Sequence, residues 1–433
     1  MVGEFLKRDS SNDLTASAAR NEADKCARCG KCRSVCPVFA ELKDEAFVAR
    51  GRIWLFEALE RGEIRATPEL RKIMSACLMC QRCAETCPSG VRFMRVIEAA
   101  RERLSREMGL PFGASFVFRH ILTRRRLFDF AMRSVSLLQR IVPGERKGNL
   151  RHLPLFFRGG KWLPPFAKNT ALQLHSGGTR VPGARVRVAL FVGCLTNYVY
   201  PRIVSSTIAL LQKARIETNV PASQLCCGVP ALAMGDIGAA RELARRNMES
   251  LQSAQCDYIV TVCASCGRML KHEYPDLVGG SAFSVPVLDV SEFIKNHTDL
   301  NLEPLSDTVT YHDPCHLRWG QGIASEPRQL LSSACQFREI PDNMYCCGQA
   351  GTFHIFYPEI AGLIGRRQVE SIALSDADYV ATGCPGCILQ LNDLMAQAGI
   401  RKKAAHTVEI LSRAQFGETM SRGVSAENHF DPQ

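Results

Sequence analysis

Along residues 51–64 the apolar side chains Ile53, Leu55, Phe56 and Leu59 recur at helical spacing, with Glu57, Glu60 and Arg61 between them. This pattern buries one helix face and wets the other. The stretch 91–105 continues as a second helix. Further on, FVFRHILTRRRLFDFAMRSVSLLQRIV sets Val117, Ile121, Phe128, Val135, Leu138 and Val142 on an approximate helical stripe interleaved with arginines, which predicts a basic amphipathic helix or helical pair. From Val186 the period changes. β-Branched runs at 186–192, 258–262, 308–311 and 379–382 each lead into a cysteine, and helical segments such as AARELARRNMESL lie between them. Strands alternating with helices predict α/β units with ligands at the carboxyl ends of the strands.

The second part of the chain is a repeat. RVRVALFVGCLTNY around Cys194 corresponds to SDTVTYHDPCHLRW around Cys315, QLCCGVP at Cys226 to MYCCGQA at Cys346, and DYIVTVCASC at Asp257 to DYVATGCPGC at Asp378. The offsets are 121, 120 and 121 residues, which marks an internal duplication.

The 433 residues and 46% hydrophobic content suit several packed units and exclude wholesale disorder. No apolar run reaches the roughly 18 residues of a spanning helix, and MVGEFLKRDSSNDL lacks the apolar core of a secretory signal. A cytoplasmic protein is expected, at most resting on the cytoplasmic face of a membrane. There, 20 cysteines serve as thiolates for metals or redox chemistry, because stable disulfides are rare in a reducing compartment. The net charge of +11 is uneven: residues 92–187 hold 20 Lys and Arg against 5 Asp and Glu. Arg124, Arg125 and Arg126 sit in that segment, which carries no nucleic-acid-reading module, so docking on a partner protein or an anionic membrane surface is expected.

Two motifs of the form C-x-x-C-x-x-C-x-x-x-C-P stand at Cys26, Cys29, Cys32 and Cys36, then at Cys77, Cys80, Cys83 and Cys87. Three cysteines at that pitch wrap three corners of a cubane, and the fourth, turned away by its proline, reaches the other cluster. The expected sets are Cys26, Cys29, Cys32 and Cys87 for one [4Fe-4S] centre, and Cys77, Cys80, Cys83 and Cys36 for the other. A zinc site normally takes two separated cysteine pairs instead.

Each repeated half carries five cysteines: Cys194, Cys226, Cys227, Cys263 and Cys266, then Cys315, Cys346, Cys347, Cys384 and Cys387. Five thiolates exceed what tetrahedral zinc accepts, and adjacent cysteines can hold two metals of a larger cluster. One or two additional iron-sulfur clusters are expected, with zinc on four of the five thiolates as the competing reading. Cys256 and Cys335 fall outside the duplicated set and read as small core residues. His312, Asp313 and His316 flank Cys315 and are expected to hold its loop by hydrogen bonds. No dinucleotide or phosphate loop appears, and no catalytic residue is assigned.

The motifs CARCGKCRSVCP with ARGRIWLFEAL, then CLMCQRCAETCPSGVRF, followed by two halves with CCG and C-x-x-C, resemble the iron-sulfur subunit of glycolate oxidase. They are also similar to the related subunits of lactate and anaerobic glycerol-3-phosphate dehydrogenases and to the D-type subunits of heterodisulfide reductase. The resemblance covers about residues 23–110 and 185–415. It implies a partner FAD-containing flavoprotein that oxidises a hydroxy acid, quinone as a downstream acceptor, and non-cubane [4Fe-4S] clusters in the CCG halves.

The expected fold is α+β and multidomain. A flexible N-terminus (1–22) precedes a helical ferredoxin-like domain with two [4Fe-4S] motifs (23–110) and a basic amphipathic helical insert and linker (111–184). Two duplicated α/β CCG domains (185–303 and 304–415) and a tail (416–433) follow. The expected function is electron transfer within a flavin-dependent glycolate- or lactate-type dehydrogenase. The alternative is a heterodisulfide-reductase-like subunit whose CCG cluster reduces a disulfide or exchanges electrons with a partner redox complex; a scaffold with structural clusters is a third reading.

Overall fold

The computed structural model describes residues 10–141, 145–147, 150–152, 161–340 and 345–417. Its amino-terminal part is helical because the apolar periodicity persists there. Helices Ala49–Glu60, Pro68–Ser75 and Phe93–Met108 turn Ile53, Phe56, Leu59, Met74, Ile97 and Leu104 into one core. The segment up to residue 22, expected to be flexible, is instead helical from Ser10 to Asp24, and residues 1–9 lie outside the described residues. Its small Ala19 and Ala23 are buried, and the Glu22 carboxylate accepts bonds from the Arg92 backbone N and Nε at 2.9 Å. Polar composition hid a docked helix whose buried Glu22 pairs with Lys25 and with Arg92, 70 residues away.

The basic insert contains the helix Arg125–Ile141, preceded by the turn Ala114–Phe116 and a π-helical segment, Val117–Ile121. After it comes a small antiparallel sheet, β1 (Arg146–Lys147), β2 (Leu150–His152) and β3 (Trp162–Leu163). The stretch WLPPF, read as linker, is held down: Trp162 is buried, and its backbone N donates to the Asp393 carboxylate at 2.7 Å. Lys161 pairs with the same carboxylate at 2.8 Å.

Each half of the repeat builds a four-stranded parallel sheet. In the first, β4 (Arg187–Phe191), β5 (Glu217–Asn219), β6 (Tyr258–Thr261) and β7 (Val287–Asp289) run in the order β5-β4-β6-β7. In the second, β8 (Thr308–Tyr311), β9 (Gln336–Phe337), β10 (Tyr379–Thr382) and β11 (Lys403–His406) repeat it as β9-β8-β10-β11. Helices cover the faces, so the central strands are apolar nearly throughout, as parallel strands require. The halves meet at their chemically loaded ends. Helix Ala264–Arg268 packs on Cys315–Gln321, Cys194–Tyr198 touches Pro385–Gln397, and Ala264 N donates to Gly383 O at 3.1 Å.

Candidate metal centre

Each sheet delivers cysteines just past the carboxyl ends of its two central strands and at the starts of helices. Cys194 and Cys315 are the first residues of their helices; Cys263 and Cys384 are the N-caps of theirs. Of these four thiols, only Cys384 has its pKa held low, by Cys263 and Cys387; neighbouring thiols and burial push Cys194, Cys263 and Cys315 up. The adjacent pairs Cys226-Cys227 and Cys346-Cys347 arrive on loops closed by a glycine in the left-handed region, Gly228 at φ 97° and Gly348 at φ 83°. A Cβ on Gly348 would lie 2.2 Å from Ala361 O, so in the second half the glycine of the CCG triplet is fixed by sterics as well as by φ.

These turns gather the five sulfurs of each half. In the first, Cys194 contacts Cys226, Cys226 contacts Cys227, and Cys227 and Cys263 both contact Cys266. In the second, the same chain runs Cys315, Cys346, Cys347, Cys387, Cys384, with Cys347 and Cys387 sulfurs 3.3 Å apart. Eight of the ten are buried. The thiols split one another's ionisation. S–H donation from Cys226 and Cys266 draws Cys227 down to about 5, while Cys266 is driven up by Cys227, Cys263 and burial. Cys346 is held low by Cys315 and Cys347, and Cys384 by Cys263 and Cys387. Only part of such a set can be thiolate while protons alone supply the positive charge. Metal ions would let the rest ionise, and a donor set of five crowded sulfurs suits an iron-sulfur cluster better than a tetrahedral ion.

In the helical part, Cys36 from the first motif borders the same apolar cluster as Cys80 of the second. Cys26, Cys32, Cys77, Cys83 and Cys87 all border one apolar cluster, so both motifs meet there, while Cys29 is exposed. The loop that carries the second motif is clamped by two buried arginines that the sequence pattern did not single out. Arg52 donates to Ile73 O at 2.9 Å and Ala76 O at 2.6 Å. Arg101 donates to Met74 O, Ser75 O and Cys77 O, and reaches across to Ala233 O of the first half at 3.0 Å. Both place a cation beside sulfurs that carry negative charge when metal-bound. The signal was available as arginines that share a helix face with Ile53, Phe56 and Leu104.

The second ferredoxin motif and the cysteine sets of the two halves adjoin one another. Cys80 shares an apolar cluster with Cys346, Cys315 and Cys36, and its thiol is pushed up by burial and by Cys346. At the far end of the second set, Cys384 is in hydrogen-bonding contact with Cys263 of the first.

Of the groups flanking Cys315, Asp313 is buried and paired with Arg318 and Arg328 at 2.7 Å. His316 bonds Ser265 Oγ at 2.9 Å and Met79 O at 3.1 Å, tying the second half to the first and to the second ferredoxin motif. His312 differs. It is buried, has an Nδ1 with no protein partner, and offers a ring nitrogen within 4.8 Å of the Cys347 and Cys387 sulfurs. Cys335 is buried and donates to Leu331 O at 3.2 Å; Cys256 is half-buried against the core.

Sequence comparison agrees with this layout. A 4Fe-4S dicluster domain model matches residues 22–91, and a cysteine-rich domain model, CCG, matches residues 188–271 and 309–392. The chain is 31% identical over 397 residues to the B component of the fumarate reductase (CoM/CoB) of Methanothermobacter marburgensis, covering 90% of this chain and 72% of that protein. It is 29% identical over 445 residues to the probable glycolate oxidase iron-sulfur subunit of Bacillus subtilis, covering 97% and 100%. It is 25% identical over 400 residues to the D component of the dihydromethanophenazine:CoB--CoM heterodisulfide reductase of Methanosarcina barkeri, covering 86% and 89%.

Proposed function

Because the chain belongs to the family of iron-sulfur subunits that join a 4Fe-4S dicluster domain to two cysteine-rich CCG domains, we propose that it is the electron-relay subunit of a flavin-dependent 2-hydroxyacid dehydrogenase complex of the glycolate or lactate type. An FAD-containing partner subunit takes two electrons and two protons from the hydroxy acid, leaving the 2-oxo acid. Iron-sulfur clusters held by the four cysteine sets supply one-electron relay towards quinone or another acceptor. Cys26, Cys29, Cys32 and Cys87 hold the first ferredoxin centre and Cys77, Cys80, Cys83 and Cys36 the second; the five cysteines of each half hold the others, of non-cubane form.

The observation that supports this reading is the adjacency of the second ferredoxin motif and the two halves, through the apolar cluster shared by Cys80, Cys315 and Cys346 and the contact of Cys384 with Cys263. A protein using its clusters only as struts has no need to line them up. Arg52 and Arg101 hold the second motif in that place.

The test is anaerobic. The purified chain alone leaves glycolate and lactate untouched; mixed with its flavoprotein partner and the hydroxy acid, its visible absorption bleaches. Oxidation of either acid by the isolated chain contradicts the proposal.

A second reading, a heterodisulfide-reductase-like subunit, draws on the completeness of both five-cysteine sets and their meeting at Cys263 and Cys384. A cavity of about 70 Å³, room for a few waters, lies instead by the second ferredoxin motif, lined by Cys77, Met79, Arg101, Arg268 and His316. Reduction of a disulfide by the isolated chain, fed by a chemical electron donor, would favour that reading.

A further inference from the structure

The helix Arg125–Ile141 is inverted relative to an ordinary surface helix. Its inward side carries buried Phe128 and Gln139 and the ion pair of Arg125 with Asp129, whose other bond is to the Tyr198 hydroxyl at 2.8 Å. Its outward side is apolar: Leu127, Phe130, Leu137, Leu138 and Ile141 are exposed, with Phe130 at 70%, Leu137 at 60% and Ile141 at 68%. At 3.6 residues per turn these five positions fall within an arc of about 100°, the width of a face meant to be covered. Upstream of the helix, Phe112 and Phe116 are exposed as well. Helical register alone would have put such a stripe against the core; here the core is served by the other side.

Charge narrows what covers this face. Exposed Arg126 and Arg133 sit along one edge of the arc, and exposed Arg124 stands just before the helix. Arg125 does not join them, because it is turned inward over the Tyr198 ring and onto Asp129. Asp129 is the sole acid among residues 108–144, and it too is engaged on the inward side. An apolar strip edged by arginines and free of outward-facing acids matches a bilayer whose hydrocarbon lies beneath negatively charged headgroups. Long arginine side chains at the edge can bury their stems and keep their guanidinium groups at headgroup level. No described helix is long and apolar enough to cross a membrane, so the contact is one of lying in the interface.

We propose that the outward face of the Arg125–Ile141 helix docks the protein on an anionic lipid surface, with Phe130, Leu137 and Ile141 inserted and Arg126 and Arg133 on the headgroups. The test uses the full, cluster-loaded chain in flotation with phosphatidylcholine vesicles, with and without phosphatidylglycerol. It needs no electron donor or acceptor, so its failure would leave the relay reading standing. The chain should float with phosphatidylglycerol vesicles at low salt and be released by added salt. The triple variant Phe130→Ser, Leu137→Ser, Ile141→Ser should partition at least about tenfold less, as expected from three lost apolar anchors. The pair Arg126→Gln, Arg133→Gln should lose the preference for phosphatidylglycerol. All five side chains are exposed, so unchanged visible absorption of the clusters serves as the folding control. A chain that ignores both vesicle types, a triple variant that floats as well as the parent, or a Phe130 shielded by another protein in a lipid-free complex would each overturn the proposal.

Discussion

The two halves of the repeat share a strand order and five cysteines at matching places, yet their sulfurs have different neighbours. Those of the second half abut the ferredoxin part: Cys346 and Cys315 share an apolar cluster with Cys80, and His316 bonds Met79 O. The first half is tied to the ferredoxin part by structural contacts, Arg101 to Ala233 O and Ser105 Oγ to Gly235 O at 2.8 Å, and its sulfurs meet the second set at Cys263 and Cys384. The second difference is a single residue. Where the second half has His312 facing its sulfurs, the equivalent position at the same offset is Phe191, whose ring lies by Gly193 near the Cys266 sulfur. Duplication kept the donor set and changed what surrounds it. Under the relay reading the halves therefore act in series, the second next to the ferredoxin and the first beyond it.

The largest effect should come from cutting that series at unequal points. Cys346→Ser should leave the ferredoxin centres reducible through the partner while isolating the first half, whereas Cys226→Ser should leave the second half reducible. Freeze-quench electron paramagnetic resonance of the two variants should show this asymmetry; matching losses would mean that the halves are fed in parallel. A smaller effect should follow His312→Phe, which copies the first half's residue into the second. Burial pulls the His312 imidazole pKa below its usual value, so at neutral pH the ring is uncharged and carries one N–H. A hydrogen bond from it to a cluster sulfur would favour the reduced, more negative form. Its loss should lower the midpoint potential of that site by on the order of 50–100 mV, the size of one hydrogen bond to a charged group. A potential unmoved by His312→Phe would remove the distinction between the halves.

Much of this was legible in the chain. The central strands β6, β8 and β10 lie where β-branched runs precede a cysteine, because buried parallel strands leave an unmixed apolar signature. The edge strands were not: Glu217–Asn219 and Lys403–His406 are short and poor in β-branched residues, and only pairing with a neighbour makes them strands. The roles of Arg52 and Arg101 are not legible in the sequence, because a charged residue on an apolar face reads as an interruption until its carbonyl partners are placed. Periodicity gave the Arg125–Ile141 helix but not which side faces in. Of the expected stripe, Phe128 is buried, Val117, Val135 and Leu138 are exposed, and Val142 lies outside the described residues.

The central claim is that the thiolates hold iron-sulfur clusters arranged for relay. Its most direct measurement is the iron, acid-labile sulfide and zinc content of the anaerobically purified chain, taken together with a potentiometric titration followed by electron paramagnetic resonance. The account predicts a brown protein with iron and sulfide in comparable amounts, little zinc, and reducible signals beyond those of the two ferredoxin centres. A colourless protein holding zinc, with no signal on reduction, would contradict it.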